Sequence, residues 1–248
     1  MQNQILLGDC LDVLKTLPEA FARLVYIDPP FNTGKRQSRE DAGYEDSFQD
    51  YLGYLLPRIS GALRCLTKDG SLFVHLDYRE VHYVKVALDG LLGRGSFVNE
   101  IIWAYDYGGR SRTRWPAKHD TILWYVLDPD CYCFNFHELD RIPYMAPGLV
   151  GPEKAKRGKT PTDVWWHTIV PTNGTEKTGY PTQKPLGVLN RIVKVHSEPG
   201  DTVLDCFAGS GTSGEAAARN GRNFVLIDQN PQAVAIATAR LKAFGVEG

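Results

Sequence analysis

The feature that most restricts this chain is an apolar run, a glycine turn, a helix and a second apolar run, in that order, over residues 202–228. Thr202-Val203-Leu204-Asp205 reads as a buried strand. It passes through Cys206 into Phe207-Ala208-Gly209-Ser210-Gly211-Thr212, a helix follows over about 212–220, and Asn223-Phe224-Val225-Leu226-Ile227-Asp228 is a second strand. Each strand is a short continuous apolar run, the pattern of a strand covered on both faces. Two such strands joined through a helix lie parallel, because a parallel pair needs a long crossover.

The rest of the chain repeats this alternation. Ile5-Leu6-Leu7, Leu24-Val25-Tyr26-Ile27 and Ser71-Leu72-Phe73-Val74-His75-Leu76 read as further buried strands, with Gly70 as a turn before the last. Helical spacing falls at about 10–17, 51–66, 81–92, 186–196 and 232–244. Ile101-Ile102-Trp103 and Thr121 to Val126 suggest an antiparallel hairpin with a long connection. The expected fold is therefore α/β, a mostly parallel, doubly wound sheet with an antiparallel hairpin strand. Residues 32–47 are polar, contain Gly34 and Gly43 and lack periodicity, so a mobile surface loop is expected there. Residues 128–180 mix prolines, glycines and isolated aromatics and read as an irregular insertion.

Composition narrows the class. With 248 residues, 43% apolar and 23% charged, the chain can bury a core without staples. Its five cysteines are odd in number and scattered, which argues against a disulfide framework. Cys131-Tyr132-Cys133 has the wrong spacing for a zinc pair, so no metal is expected. No signal peptide is read at the start and no apolar run spans a bilayer, so a cytoplasmic location without membrane contact is the expectation. The net charge of −1 does not announce nucleic acid, so any such reading must rest on local clusters.

Two motifs carry chemistry. Gly209 and Gly211 let the backbone turn tightly and let a ligand approach the main chain. Asp228, at the tip of the next strand, can accept hydrogen bonds from both hydroxyls of a ribose. With Gly214 the loop has the form Gly-x-Gly-x-x-Gly, which on its own leaves a dinucleotide open. The second motif, Asp28-Pro29-Pro30-Phe31, ends a buried strand where ligands bind in open α/β sheets. Successive prolines end the ladder and fix the backbone. The Asp28 carboxylate and the Pro29 carbonyl can then present two acceptors to one amino group, with the Phe31 ring stacking on a planar base. An exocyclic amine is a poor nucleophile because its lone pair is delocalised. Two acceptors on its hydrogens draw the nitrogen toward tetrahedral geometry and stabilise the positive charge that develops.

On these residues the sequence resembles the beta group of DNA amino-methyltransferases of restriction-modification systems, over nearly its whole length. Asp28-Pro29-Pro30-Phe31 matches the catalytic tetrapeptide, Phe207-Ala208-Gly209-Ser210-Gly211-Thr212 the cofactor loop, and Tyr180-Pro181-Thr182-Gln183-Lys184-Pro185 the segment that helps hold the methionine part. Tyr180 stands where the family often has histidine. The catalytic motif precedes the cofactor loop, the circularly permuted order of the beta group on a Rossmann-like sheet. The resemblance implies transfer of a methyl group from S-adenosylmethionine to an exocyclic amine. Asp28 favours adenine N6, whereas serine there is commoner for cytosine N4. It implies that Asp9, followed by Cys10, meets the cofactor's adenine, that Asp228, followed by Gln229, holds the ribose, and that Thr182 and Lys184 hold the carboxylate end.

The same resemblance divides the chain into a catalytic half at 1–127, a target-recognition insertion at 128–180 and a cofactor half at 181–248. The substrate would be double-stranded DNA with its target base flipped out. Arg110, Arg112, Arg114 and Lys118, interleaved with Trp115, and Lys154, Lys156, Arg157 and Lys159 are the candidate phosphate contacts. The short insertion leaves a homodimer open, and a cognate restriction endonuclease is a further candidate partner. Cytosine N4, RNA or a protein amide are rival substrates, although the last two usually go with asparagine in place of Asp28. A nucleotide-binding module without catalysis and a dinucleotide oxidoreductase are rivals from other classes. The second leaves Asp28-Pro29-Pro30-Phe31 and Pro181 to Pro185 unexplained.

Overall fold

The computed structural model describes residues 3–39, 42–171 and 173–246. Its strands are β1 (Gln4–Leu7), β2 (Ala22–Ile27), β3 (Lys35–Arg39), β4 (Ala42–Asp46), β5 (Leu66–Leu76), β6 (Phe97–Ala104), β7 (His119–Val126), β8 (Val164–Trp166), β9 (Thr202–Asp205) and β10 (Asn223–Asp228). The helices are α1 (Cys10–Thr16), α2 (Tyr51–Cys65), α3 (Val81–Leu92), α4 (Pro152–Arg157), α5 (Leu186–His196), α6 (Thr212–Arg219) and α7 (Pro231–Leu241).

Eight strands form one sheet in the order β1-β10-β9-β2-β5-β7-β6-β8. The five from β1 to β5 run parallel, β7 is antiparallel to both β5 and β6, and β8 lies parallel to β6. The apolar runs explain the centre. Along β2, Val25 and Ile27 enter a core with α1, α2 and α3, while Leu24 and Tyr26 enter a second core with α5 and α6. Opposite faces receive alternate residues, so a strand covered on both sides must be apolar throughout. Gly70 lies inside β5, where the register against β2 shifts; a Cβ there would come within 2.8 Å of the Arg23 carbonyl oxygen. The expected turn is thus a close approach of two strands.

The chain passes from β9 through α6 to β10 on one side of β9, while β2 lies on its other side. The carboxyl ends of β9 and β2 therefore flank the point where the order reverses, the place where open α/β sheets bind ligands.

Residues 32–47 depart from the mobile loop expected. β3 and β4 form an antiparallel hairpin, Lys35 opposite Asp46 and Gln37 opposite Tyr44. Its anchor is Asp46, which is buried and accepts from the Asn32 amide at 2.6 Å, the Thr33 hydroxyl at 2.5 Å and Gln37 at 3.2 Å. A buried carboxylate bonded three times substitutes for the apolar alternation that the segment lacks. The 128–180 stretch is mostly irregular, but it contains α4 and adds β8 to the sheet edge.

Candidate active site

One cleft of about 1020 Å³ lies at the carboxyl ends of the central strands, open mouth included. Asp28, Pro29, Pro30 and Phe31 line it from β2; Asp9 and Cys10 from β1; Phe207, Ala208, Gly209, Ser210 and Thr212 from β9; Asp228 and Gln229 from β10; and Thr182 and Lys184 from the segment before α5. Gly211 alone of the expected residues does not line it. Its φ is +74°, and a Cβ there would come within 2.9 Å of the Ala237 methyl on α7. Gly211 is thus a packing glycine, needed so that the loop can close against α7.

Around Asp28 the polypeptide is tightly held. The Tyr51 hydroxyl donates to the Pro30 carbonyl at 2.6 Å, which occupies that oxygen. No hydrogen bond among the described residues ends on the Pro29 carbonyl or on Asp28 Oδ2. Lys184 Nζ lies 3.1 Å from Asp28 Oδ1 and 4.5 Å from the Phe31 ring centre. Burial works against the Lys184 charge, but Asp28 and Asp120 outweigh it and raise its pKa above the ordinary lysine value. Beneath Phe31 runs a buried polar chain. The Tyr26 hydroxyl pairs with His75 Nδ1 at 2.7 Å, His75 Nε2 with Asp120 Oδ2 at 3.1 Å, and the Tyr105 hydroxyl donates to Asp120 Oδ1 at 3.1 Å.

The other wall combines the glycine-loop backbone with two carboxylates. Asp228 accepts from the Gly209 amide through Oδ2 and from the Asn230 amide through Oδ1, both at 2.8 Å. Burial pushes its carboxyl up, against the opposite pull of those two amides. Two carboxylate oxygens have about four acceptor sites, so two remain for a ligand. Asp205 accepts from the Phe207 amide at 2.9 Å and the Ser213 hydroxyl at 2.5 Å, and burial lifts its carboxyl to about 7. Arg240 reaches across from α7 to the Thr212 hydroxyl at 2.7 Å and pairs with Glu215, tying the glycine loop to α7.

Asp9 is more committed than the sequence suggested. Oδ1 caps α1 through the Leu11 amide at 2.9 Å, and Oδ2 accepts from Arg58 at 2.6 Å. Thr182 holds φ at +59°, a costly conformation for a β-branched residue, and its hydroxyl meets Tyr44 at 3.3 Å. Sequence reading missed Tyr44, Tyr54, Arg58, Tyr180, Asp205 and Asn230, all of which line the cleft. Tyr44 arrives on the unanticipated hairpin, which Asn230 also holds through the Gly43 carbonyl at 3.1 Å. Asp205 and Tyr180 stood beside or within the quoted motifs and could have been named from adjacency.

A switch-point cleft with a glycine loop on one wall and an aspartate–diproline turn on the other belongs to the α/β methyltransferase class. Residues 22–239 match the model of a DNA methylase family described as N6_N4_Mtase. The chain belongs to that family. It is 31% identical to the type II methyltransferase M.ScaI of Streptomyces caespitosus, over 95% of this chain and 80% of that protein. It is 30% identical to the DNA adenine methyltransferase YhdJ of Escherichia coli (strain K12), over 96% and 82%. Among solved structures it resembles the PvuII cytosine-N4-specific DNA methyltransferase with a TM-score of 0.72, 20% identity and coverage of 97% and 86%. It also resembles the M1.HpyAVI–SAM complex with a TM-score of 0.66, 24% identity and coverage of 96% and 98%. Among the described residues no helix is long and apolar enough to cross a membrane.

Proposed function

We propose that this enzyme methylates the N6 amine of adenine in double-stranded DNA, at a specific sequence, with S-adenosylmethionine as donor. The observation that carries the reading is the acceptor pair at the end of β2. Asp28 Oδ2 and the Pro29 carbonyl both lack hydrogen-bond partners among the described residues, and both residues line the cleft. A planar amine needs two such acceptors, one for each hydrogen.

The opposite wall fits the donor. Asp228 keeps acceptor capacity for ribose hydroxyls, and the bare Cα of Gly209 leaves room beside the Tyr180 ring, which a Cβ would meet at 3.1 Å. Bound there, the donor supplies an electrophilic methyl group on a sulfonium. Asp28 and the Pro29 carbonyl orient the amine and stabilise the charge that grows on its nitrogen. Phe31 stacks on the base, and Lys184 balances the carboxylate through Oδ1, leaving Oδ2 to the amine. The insertion at 128–180 serves target recognition in this reading, and the halves on either side of it supply the catalytic and cofactor walls.

The preference for adenine rests on Asp28 and on the 30% identity to an enzyme named for adenine; the cytosine-N4 enzyme is related at 20%. The test is incubation of mixed-sequence duplex DNA with methyl-labelled S-adenosylmethionine, followed by nucleoside digestion and mass spectrometry. Labelled N6-methyladenine is expected. N4-methylcytosine would overturn the base, and absence of label from DNA would overturn the reading.

A further inference from the structure

The connection between β6 and β7 has no part in the cleft, yet it rises from the same edge of the sheet. Ala104 is paired with His119, and Thr121 with Leu76 at the carboxyl end of β5. The 105–118 loop therefore starts where the parallel strands end. Its base is fixed twice. Lys118 Nζ donates to the Tyr107 and Gly109 carbonyls at 2.7 and 3.0 Å, and Tyr105 closes the polar chain that reaches the cleft wall at Tyr26.

Above this base, residues 110–117 hold three arginines and no acid, in a protein whose net charge is −1. The Ser111 hydroxyl accepts from the Thr113 and Arg114 amides at 3.2 Å, which orders the turn carrying Arg110, Arg112 and Arg114. Trp115 follows, 96% exposed, with Pro116 next in the chain. A bare indole on an ordered, acid-free arginine turn suits a partner that is polyanionic outside and aromatic inside. Duplex nucleic acid has that constitution: phosphates for the guanidinium groups, a base stack for the ring.

We propose that Trp115 is the wedge of this enzyme. When the target nucleotide swings into the cleft, the indole enters the duplex and stacks in the gap, while the loop arginines hold the flanking phosphates. The proposal rests on the DNA reading above and adds to it the group that keeps the target out of the stack. Side chains inserted between base steps act in this way in other nucleic-acid complexes.

The test compares wild type, Trp115→Ala and Trp115→Phe on two duplexes carrying the mapped methylation site. One is fully paired, and in the other the target faces an abasic position, so that less pairing opposes its exit. Trp115→Ala should lower kcat/KM on the paired duplex by about 10- to 100-fold, the range for loss of one base–aromatic stack. Most of that loss should vanish on the abasic duplex, and Trp115→Phe should retain most activity on both. Arg112→Ala should instead weaken both duplexes alike and lower the slope of log affinity against log salt by about one.

An equal defect on both duplexes, or none on either, would overturn the wedge while leaving the DNA reading intact. The same holds if Trp166→Ala gives the rescued pattern in its place; Trp166 is 75% exposed on β8 at the same edge. A wild type that methylates no DNA would remove the functional reading and the wedge together.

Discussion

The two central strands β2 and β9 lie side by side, Tyr26 in register with Asp205, and each leaves the sheet into a loop that lines the cleft. The loops are built from opposite materials. After β2 come two prolines, which remove donors and leave the Asp28 carboxylate and the Pro29 carbonyl at the cleft. After β9 come two glycines with φ of +51° and +74°: Gly209 keeps the cleft side of the turn free of a side chain, and Gly211 lets the loop close against α7. One wall offers hydrogen-bond acceptors, and the other offers a turn without side chains at its glycines. In the proposed reading, the chemistry of transfer resides in side-chain and carbonyl oxygens on the proline wall, and affinity for the nucleoside on the glycine wall.

The sharpest way to break this division is Asp28→Ala. It should lower kcat by about 100- to 1000-fold, as loss of one transition-state contact does, and leave the dissociation constant for S-adenosylmethionine within about twofold. Equal loss of both would merge the two walls into one. Asp228→Ala is the converse. Loss of hydrogen bonds to a charged group should raise that dissociation constant by about 10- to 100-fold, read by calorimetry, with kcat at saturation nearly unchanged.

Gly211→Ala should act on neither parameter first. A methyl pressed against Ala237 in a left-handed backbone should cost about 1–3 kcal/mol, seen as a lower denaturation midpoint. Asp205→Asn sharpens the comparison through pH. The folded Asp205 carboxyl titrates near 7, well above its unfolded value, so the folded state binds the extra proton and loses stability as pH rises from about 4 through 7. Its contribution to that slope is at most about 1.4 kcal/mol per pH unit. Urea melts across this range should show the asparagine variant with a flatter dependence. Smallest of all, Pro29→Ala should cost under about 1 kcal/mol of stability, through the unfolded chain, while lowering kcat; an unchanged kcat would deny the diproline its role in aiming the acceptors.

Continuous apolar runs made the parallel core legible, because burial on both faces leaves no other composition for β2, β5, β9 and β10. The motifs at the strand ends likewise placed Asp28, Asp228 and Gly209 in one cleft. The β3–β4 hairpin was hidden because its order comes from a single buried aspartate, Asp46, and not from any period. β8 is three residues long, too short to show one. The partnership of Lys184 with Asp28 joins positions far apart in the chain, and neither residue type signals the other. Gly211 was legible as a necessary glycine, but its packing against α7 was not, since a pattern of glycines does not distinguish a ligand from a neighbouring helix.

The strand order also bears on how the molecule is made. β1 and β2 leave the ribosome long before β9 and β10, yet β10 is the sheet neighbour of β1, and β9 stands between β10 and β2. Until the last part has emerged, β1 has no sheet neighbour and β2 keeps one edge unpaired. A stall or truncation before residue 202 would therefore release a half-sheet, exposed at the centre and prone to pair with its own kind.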